Sequence, residues 1–271
     1  MSRTPDSMEN DRHKFSTNDD EPIYLRNEII SAVTAFYKLL VRLYLPNDAI
    51  KYPPPNGWFW PADITFAPPK SPAVIDLMKH MPYLQRPAYW DSLQIYEKTE
   101  AVDYSSFNTA GPHDIDPDPS LTTLPSHALL IGYARGRNGH YVFVDTERGT
   151  FTLCDFQVGP REQTYLSEDL EDVENPVVRL DRFGDECTEH WREYATYTTS
   201  EFFEKLTREF TELELIPHPN GEVHFANGAR SVSSGENRLR DIFVDHGWPA
   251  KKYRKEDCMN RVGEFDKSLG M

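Results

Sequence analysis

Apolar side chains recur every three or four residues over residues 22–45. This spacing places them on one face of an α-helix and predicts a helix that packs on a core. Pro22 suits the first turn of such a helix, and Pro46 prevents its continuation. The stripe comprises Ile29, Val33, Phe36, Tyr37, Leu40 and Tyr44.

A second helical pattern has a clear start signal. The run Thr198-Thr-Ser-Glu201 is a capping box, in which the first and last side chains satisfy backbone N–H groups at the helix N-terminus. A shorter helix is predicted over residues 73–80. The side chains expected to face inward from the capped helix are Phe202, Phe203, Leu206, Phe210 and Leu213.

Two more helices are predicted near the C-terminus, over residues 236–246 and 253–268. Gly247 is a natural helix-ending residue, because glycine adopts the left-handed conformation without strain. In the Schellman type of helix end, the next residue folds back over the last turn. We therefore expect Trp248 to pack back on Phe243.

The strongest β-pattern lies between these helices. Strands are predicted over residues 128–134, 141–144 and 150–156. Asn138 and Gly139 favour a hairpin turn between the first two. Those two strands are apolar on both faces, so we expect the sheet to be covered on both sides.

These elements predict an α+β fold with a single core, in which a mixed or mainly antiparallel sheet is flanked by helices and extended by N- and C-terminal helices. The core is expected over residues 22–235, with a C-terminal helical extension over 236–271 packed on it. Residues 1–21 are polar and predict a disordered tail. Residues 46–72 are rich in proline and predict an ordered irregular wrap, in which the run of three prolines after Tyr52 favours polyproline II.

Charge and cysteine content narrow the possible partners and the compartment. The net charge of −15 disfavours binding to nucleic acid or to an anionic membrane surface. The three cysteines are odd in number and widely spaced, and the N-terminal residues do not resemble a secretory signal. Since no apolar run approaches the roughly 18 residues that a membrane span needs, we expect a cytoplasmic or nuclear protein.

Few residues suggest catalysis or metal binding. Cys154, with His140 and Asp155, has the residue types of a nucleophile, a base and an orienting acid. A position in the middle of a strand instead indicates a small buried residue. Cys187 and His190 have the spacing of two zinc ligands but lack a second pair, so no metal and no cofactor are predicted.

Binding residues are predicted at two places. Arg135 and Arg137 at the hairpin tip could hold an acidic partner. Trp58 and Trp60 could line a groove for a peptide or a sugar, although packing of the loop on the core is the favoured interpretation.

The central strands resemble those of the SUKH superfamily, which includes fungal regulators of cell-wall glucan synthesis and bacterial immunity proteins. The likeness rests on an apolar strand that ends in Gly132, and on a strand ending in Asp, a glycine turn and another strand within residues 139–155. Trp191 followed by the run over 197–203 resembles the closing element of that family. The resemblance covers residues 70–215.

The resemblance implies an α+β fold and a binding role without catalysis, and it transfers no catalytic residue. The usual early motif of the family is absent, and Val74 to Leu84 stands in its place. We therefore expect an intracellular protein-binding module, regulatory or scaffolding, in signalling or cell-wall regulation. The alternatives are a hydrolase or transferase that uses Cys154 or a His/Asp set, and a structural subunit of an oligomer.

Overall fold

The computed structural model of the protein describes residues 24–60, 66, 69–105, 124–136, 138–155, 190–226 and 234–269. Within these residues it contains five α-helices, ten short β-strands and one 3-10 helix. In chain order the elements are α1 Arg26–Leu43, β1 Ile50–Lys51, α2 Pro72–His80, β2 Tyr83–Leu84, β3 Gln94–Tyr96, β4 Thr99–Ala101, β5 Ala128–Ala134, β6 Tyr141–Asp145, β7 Thr150–Cys154, the 3-10 helix His190–Glu193, β8 Ala195–Thr198, α3 Thr199–Thr211, β9 Leu215–Pro217, β10 Val223–Phe225, α4 Ser234–Asp245 and α5 Lys255–Leu269.

Six of the strands form one sheet in the order β3-β4-β5-β6-β7-β8, and every neighbouring pair is antiparallel. The predicted α+β fold is thereby confirmed, and the sheet is antiparallel rather than mixed. In the loop between β5 and β6, position 139 must be glycine for the backbone segments to approach so closely, because a Cβ there would lie 2.7 Å or less from three backbone atoms. Two separate ribbons, β1–β2 and β9–β10, complete the strands.

Both faces of the sheet are covered, as its apolar strands predict. On one face, Phe151 of β7 stacks on Phe202 of α3 with ring centroids 4.9 Å apart. Helix α1 packs over α3, where Phe36 lies 5.8 Å from the rings of Phe203 and Phe210. On the opposite face, the fully buried Trp191 packs against Phe143 of β6 at 5.7 Å. Burying these large rings on both sides supplies much of the stabilising energy of the core.

The capping box and the glycine helix end behave as predicted, whereas α1 begins at Arg26 and not in the turn after Pro22. The Thr198 hydroxyl accepts a bond from the Glu201 backbone, and the Glu201 carboxylate accepts one from the Thr198 N–H, so the capping box is complete. At the end of α4, Gly247 has φ of 94°. The Trp248 N–H donates to the Phe243 carbonyl at 3.0 Å, which is the bond of a Schellman motif.

The two C-terminal helices are tied to the ends of α1 and α3. The Trp248 indole donates to the Thr211 carbonyl at 3.0 Å. The Tyr253 hydroxyl donates to the Leu43 carbonyl at 2.9 Å, and Lys255 donates to the Val41 carbonyl at 2.9 Å. These bonds satisfy carbonyl groups that a helix end leaves without an intrahelical partner.

Several predictions fall outside the described residues. These are the disordered tail over residues 1–21, Arg137, Cys187 and Phe156, the last residue of the predicted strand 150–156, whereas Asp155 is described and lies just beyond the end of β7. Among the described helices, none is both long and apolar enough to cross a membrane.

Candidate functional site

Arg135 lies at the start of the loop between β5 and β6, as the turn pattern predicts. Its guanidinium does not project freely into solvent. The Nη1 atom donates to the Glu100 carboxylate on the neighbouring strand β4 and to the Asp91 carbonyl at 2.5 Å. Nearly half of the Arg135 side chain remains exposed, at 46%. Arg135 is therefore both anchored to the sheet and accessible.

Glu100 is the buried centre of this cluster. It accepts bonds from the Ser92 hydroxyl at 2.9 Å, from the Tyr133 hydroxyl and from Arg135. Burial alone would raise the pKa of Glu100, but these three bonds outweigh burial and lower it. Burial and the bond to Glu100 raise the pKa of Tyr133 to about 12. The carboxylate therefore stays ionised and holds Arg135 in place.

A second arginine meets Arg135 at the same backbone carbonyl. Arg86 Nη1 donates to the Asp91 carbonyl at 2.7 Å, so two guanidinium groups converge on one oxygen. Between Arg86 and Asp91 in sequence, the Tyr89 ring is 80% exposed, while Trp90 is buried and stacks on Tyr44. We call Arg86, Tyr89 and Arg135 the Arg86–Arg135 surface.

Sequence reasoning identified Arg135 but missed its neighbours. Arg86 and Tyr89 lie in or beside a stretch, residues 88–104, whose pattern indicates neither helix nor strand clearly. The predicted companion, Arg137, lies outside the described residues. The local signal that could have drawn attention to this stretch is Arg86 followed by Pro87, a charged residue and a proline of the kind that marks a surface turn.

The two tryptophans predicted to bind a ligand, Trp58 and Trp60, instead hydrogen-bond the backbone of neighbouring segments. The Trp58 indole donates to the Met81 carbonyl at 2.8 Å, and the Trp60 indole donates to the Tyr104 carbonyl at 3.2 Å. Both side chains are half-buried, whereas Phe59 between them is 87% exposed. This geometry agrees with the favoured interpretation that the indoles fasten the loop.

Cys154 is the last residue of β7 and is fully buried. Its Sγ donates to the Trp191 carbonyl at 3.5 Å, and burial raises the pKa of the thiol well above its ordinary value. Burial also lowers the pKa of His140, whose ring packs edge-on against Tyr96 at 5.0 Å. A nucleophilic thiol needs an accessible, lowered-pKa environment. Cys154 has neither property, because its side chain is buried and its pKa is raised.

A further charged cluster, which sequence reasoning missed, lies at the end of strand β6 beside the 3-10 helix. Arg192 donates to the buried Asp145 carboxylate at 2.6 and 2.9 Å, and Arg192 Nη2 donates to His127 Nε2 at 2.8 Å. Glu147 lies 3.3 Å from both Arg192 and His127. His127, Asp145 and Glu147 each offer one atom that could ligate a metal ion, and these three atoms lie within 4.8 Å of one another.

These three residues are the right types for a divalent cation. However, the Arg192 guanidinium already bonds to all three of them, so a cation would have to displace it. Asp145 also accepts bonds from the backbone N–H groups of Glu147 and Arg148. The arrangement fits an internal ion-pair network that holds the 3-10 helix to the β6–β7 hairpin.

No known protein family, curated protein or solved structure matches this chain.

Proposed function

We propose that this protein is a non-catalytic protein-binding module and that the Arg86–Arg135 surface contacts its partner. The observation that carries the proposal is the convergence of two arginines on the Asp91 carbonyl beside an 80% exposed tyrosine. Tyrosine and arginine are the residue types that contribute most to binding at protein interfaces. The two arginines bring local positive charge to a chain whose net charge is −15.

The arginines are held in place before any partner arrives. Each long arginine side chain loses rotamer freedom when it is fixed in an interface, and this loss opposes binding. Here Glu100 and the Asp91 carbonyl already restrict Arg135, and the same carbonyl restricts Arg86. Their remaining N–H groups suit a carboxylate, which arginine can bind in a two-pronged geometry.

The partner is therefore expected to present one or two carboxylates opposite this surface. The overall negative charge of the chain does not attract an acidic protein over long distances. Recognition must then come from short-range contacts with Arg86, Tyr89 and Arg135.

The wider role follows from the SUKH resemblance in the central strands. It favours a regulatory or scaffolding role in signalling or cell-wall regulation, and the cysteine pattern favours a cytoplasmic or nuclear location. The buried, raised-pKa thiol of Cys154 gives no support to the alternative of a hydrolase or transferase that uses that residue.

The experiment is affinity capture from the source cells with a surface variant, R86S/Y89S, and a matched control, V244S. Arg135 is left unchanged because it bonds the buried Glu100. Val244 on α4 is also exposed, at 60%, so the control removes a comparable exposed apolar side chain elsewhere. Captured partners are identified by mass spectrometry and their affinities are then measured with purified proteins.

We expect the wild type and V244S to retain a partner that R86S/Y89S loses, while all three proteins melt at similar temperatures. Equal partner affinity for R86S/Y89S and the wild type would contradict the assignment of this surface. Turnover of a substrate by the purified protein would contradict the non-catalytic role.

A further inference from the structure

A short proline-rich segment over residues 52–56, which we call the arch, connects β1 to the loop that carries Trp58 and Trp60. On its N-terminal side, Lys51 pairs with Tyr83 in the β1–β2 ribbon, and its ammonium group bonds Asp103. On its C-terminal side, the Trp58 N–H donates to the Lys79 carbonyl at 2.8 Å. Residues 52–56 are therefore held at both ends by the body of the protein.

The covalent chemistry of the arch dictates its backbone conformation. Tyr52, Pro53 and Pro54 each precede a proline, which disfavours the helical region and restricts each of them to β or polyproline II. The proline rings additionally fix φ near −65°. Three residues complete one turn of a polyproline II helix, about 9 Å long.

A tight turn over residues 54–57 closes the arch, so Pro55 lies in the turn and the extended part is residues 52–54. The Gly57 N–H donates to the Pro54 carbonyl at 2.8 Å, and Gly57 has φ of 79°. A Cβ at Gly57 would lie 2.8 Å from the Lys79 carbonyl oxygen, so the turn is seated closely against the end of α2. The arch is thus short and stiff, and its conformation does not depend on a partner.

Three of the four apolar side chains of the arch are exposed, and the fourth, Pro53, is half-buried. Tyr52 is 55% exposed, and Pro54 and Pro55 are also exposed. Among the described residues, only five large apolar side chains are more than half exposed, and Tyr52 and Phe59 on either side of the arch are two of them. Prolines that served only to shape a loop could equally well point inward.

We propose that the extended part of the arch, residues 52–54, is a ligand for a protein domain that recognises polyproline II in an aromatic-lined groove. Such domains, of the SH3, WW or EVH1 kind, bind proline segments because the extended conformation is formed before binding and little entropy is lost. An exposed tyrosine beside consecutive prolines gives the groove one aromatic contact and several rigid apolar ridges. This partner surface is separate from the Arg86–Arg135 surface, and the proposal does not rest on the proposed function.

The test titrates the full-length protein against a panel of purified SH3, WW and EVH1 domains and follows binding by NMR or calorimetry. The variant is P54A/P55A, which alters two exposed side chains and keeps Pro53. The matched control is F59S, which removes the most exposed aromatic ring of the neighbouring loop without touching a proline. Thermal melting shows whether each variant is folded.

We expect at least one domain of the panel to bind the wild type with a dissociation constant below about 100 µM. P54A/P55A should bind that domain about tenfold more weakly, whereas F59S should bind it about as well as the wild type does. The proposal is overturned if no domain of the panel binds, or if P54A/P55A binds as tightly as the wild type.

Discussion

Replacement of Arg192 by methionine tests whether its ion pair with Asp145 contributes to stability. The Asp145 carboxylate is only 1% exposed and Arg192 is 13% exposed, so the pair is almost completely removed from water. Methionine keeps an unbranched apolar side chain near Trp191, over whose ring the Arg192 guanidinium lies at 5.1 Å. R192M therefore removes the charge while it retains most of the packing.

The expected cost follows from leaving a buried carboxylate without its cation. Removing one partner of a buried ion pair costs about 3–5 kcal/mol. Asp145 keeps two bonds from the backbone N–H groups of Glu147 and Arg148, which favours the lower end of that range. For a protein of this size a loss of about 3 kcal/mol lowers the melting temperature by on the order of 10 °C.

The assay is equilibrium unfolding in urea, together with thermal melting, of R192M and a matched control. The control is R261M on α5, because Arg261 forms an exposed ion pair with Glu264 in which the side chains are 60% and 65% exposed. An exposed pair contributes about 0–1 kcal/mol, so R261M should change little. The double variant D145N/R192M should be more stable than R192M, because asparagine carries no charge and can still accept the two backbone bonds.

Two results would refute this reasoning. One is a loss of less than about 1 kcal/mol for R192M, which would mean that Asp145 finds another partner or reaches water. The other is a double variant that is no more stable than R192M, which would mean that the buried charge is not the source of the cost.

Three further predictions concern other parts of the molecule. The native bonds lower the pKa of Glu100 below its ordinary value near 4.5. The stability lost in E100Q, relative to the wild type, should therefore be constant above that pH and should shrink as the pH falls through the native pKa. A loss that grows on acidification would contradict the assignment. Gly139→Ala should destabilise the protein by about 1–3 kcal/mol because the added Cβ would crowd backbone atoms. Gly263→Ala in α5, where the nearest atom lies 3.5 Å from the added Cβ, should stabilise it by up to about 1 kcal/mol. Urea unfolding measures both changes, and equal effects of the two substitutions would contradict the prediction. Because burial raises the pKa of the Cys154 thiol, alkylation at this residue, followed by mass spectrometry, should require unfolding; labelling faster than a free model thiol would show that the core position is wrong.

Much of the helical and central β-structure could be predicted because its signals are local. The apolar stripe of α1, the Thr198–Glu201 capping box and the glycine at position 247 each act within a few residues of the feature they determine. The strands β5, β6 and β7 were predictable from apolar runs separated by turn residues. In each case the physical cause, whether periodic burial or backbone conformation, is contained in a short stretch of sequence.

The strands β3 and β4 could not be assigned in the same way. Every residue of β3 is buried, so the strand lacks the alternation of apolar and polar positions that marks a half-exposed strand. Lys98, in the turn that joins β3 to β4, has φ of 48° although it is not glycine. No turn motif therefore marked the place where the chain reverses.

By itself, the sequence determined the types of the main elements, the boundaries of the best-marked helices and strands, and the position of Arg135 at a hairpin. Only the tertiary structure decided what Arg135 contacts. Glu100 and Asp91 lie 35 and 44 residues away along the chain. Glu100 reaches Arg135 because β4 pairs with β5, and Asp91 reaches it from the segment before β3. The same is true of Arg192 and Asp145, which are 47 residues apart. Periodicity and turn chemistry act over a few residues, whereas a charged site is assembled by strand pairing across dozens of residues, and that is the physical reason for the division.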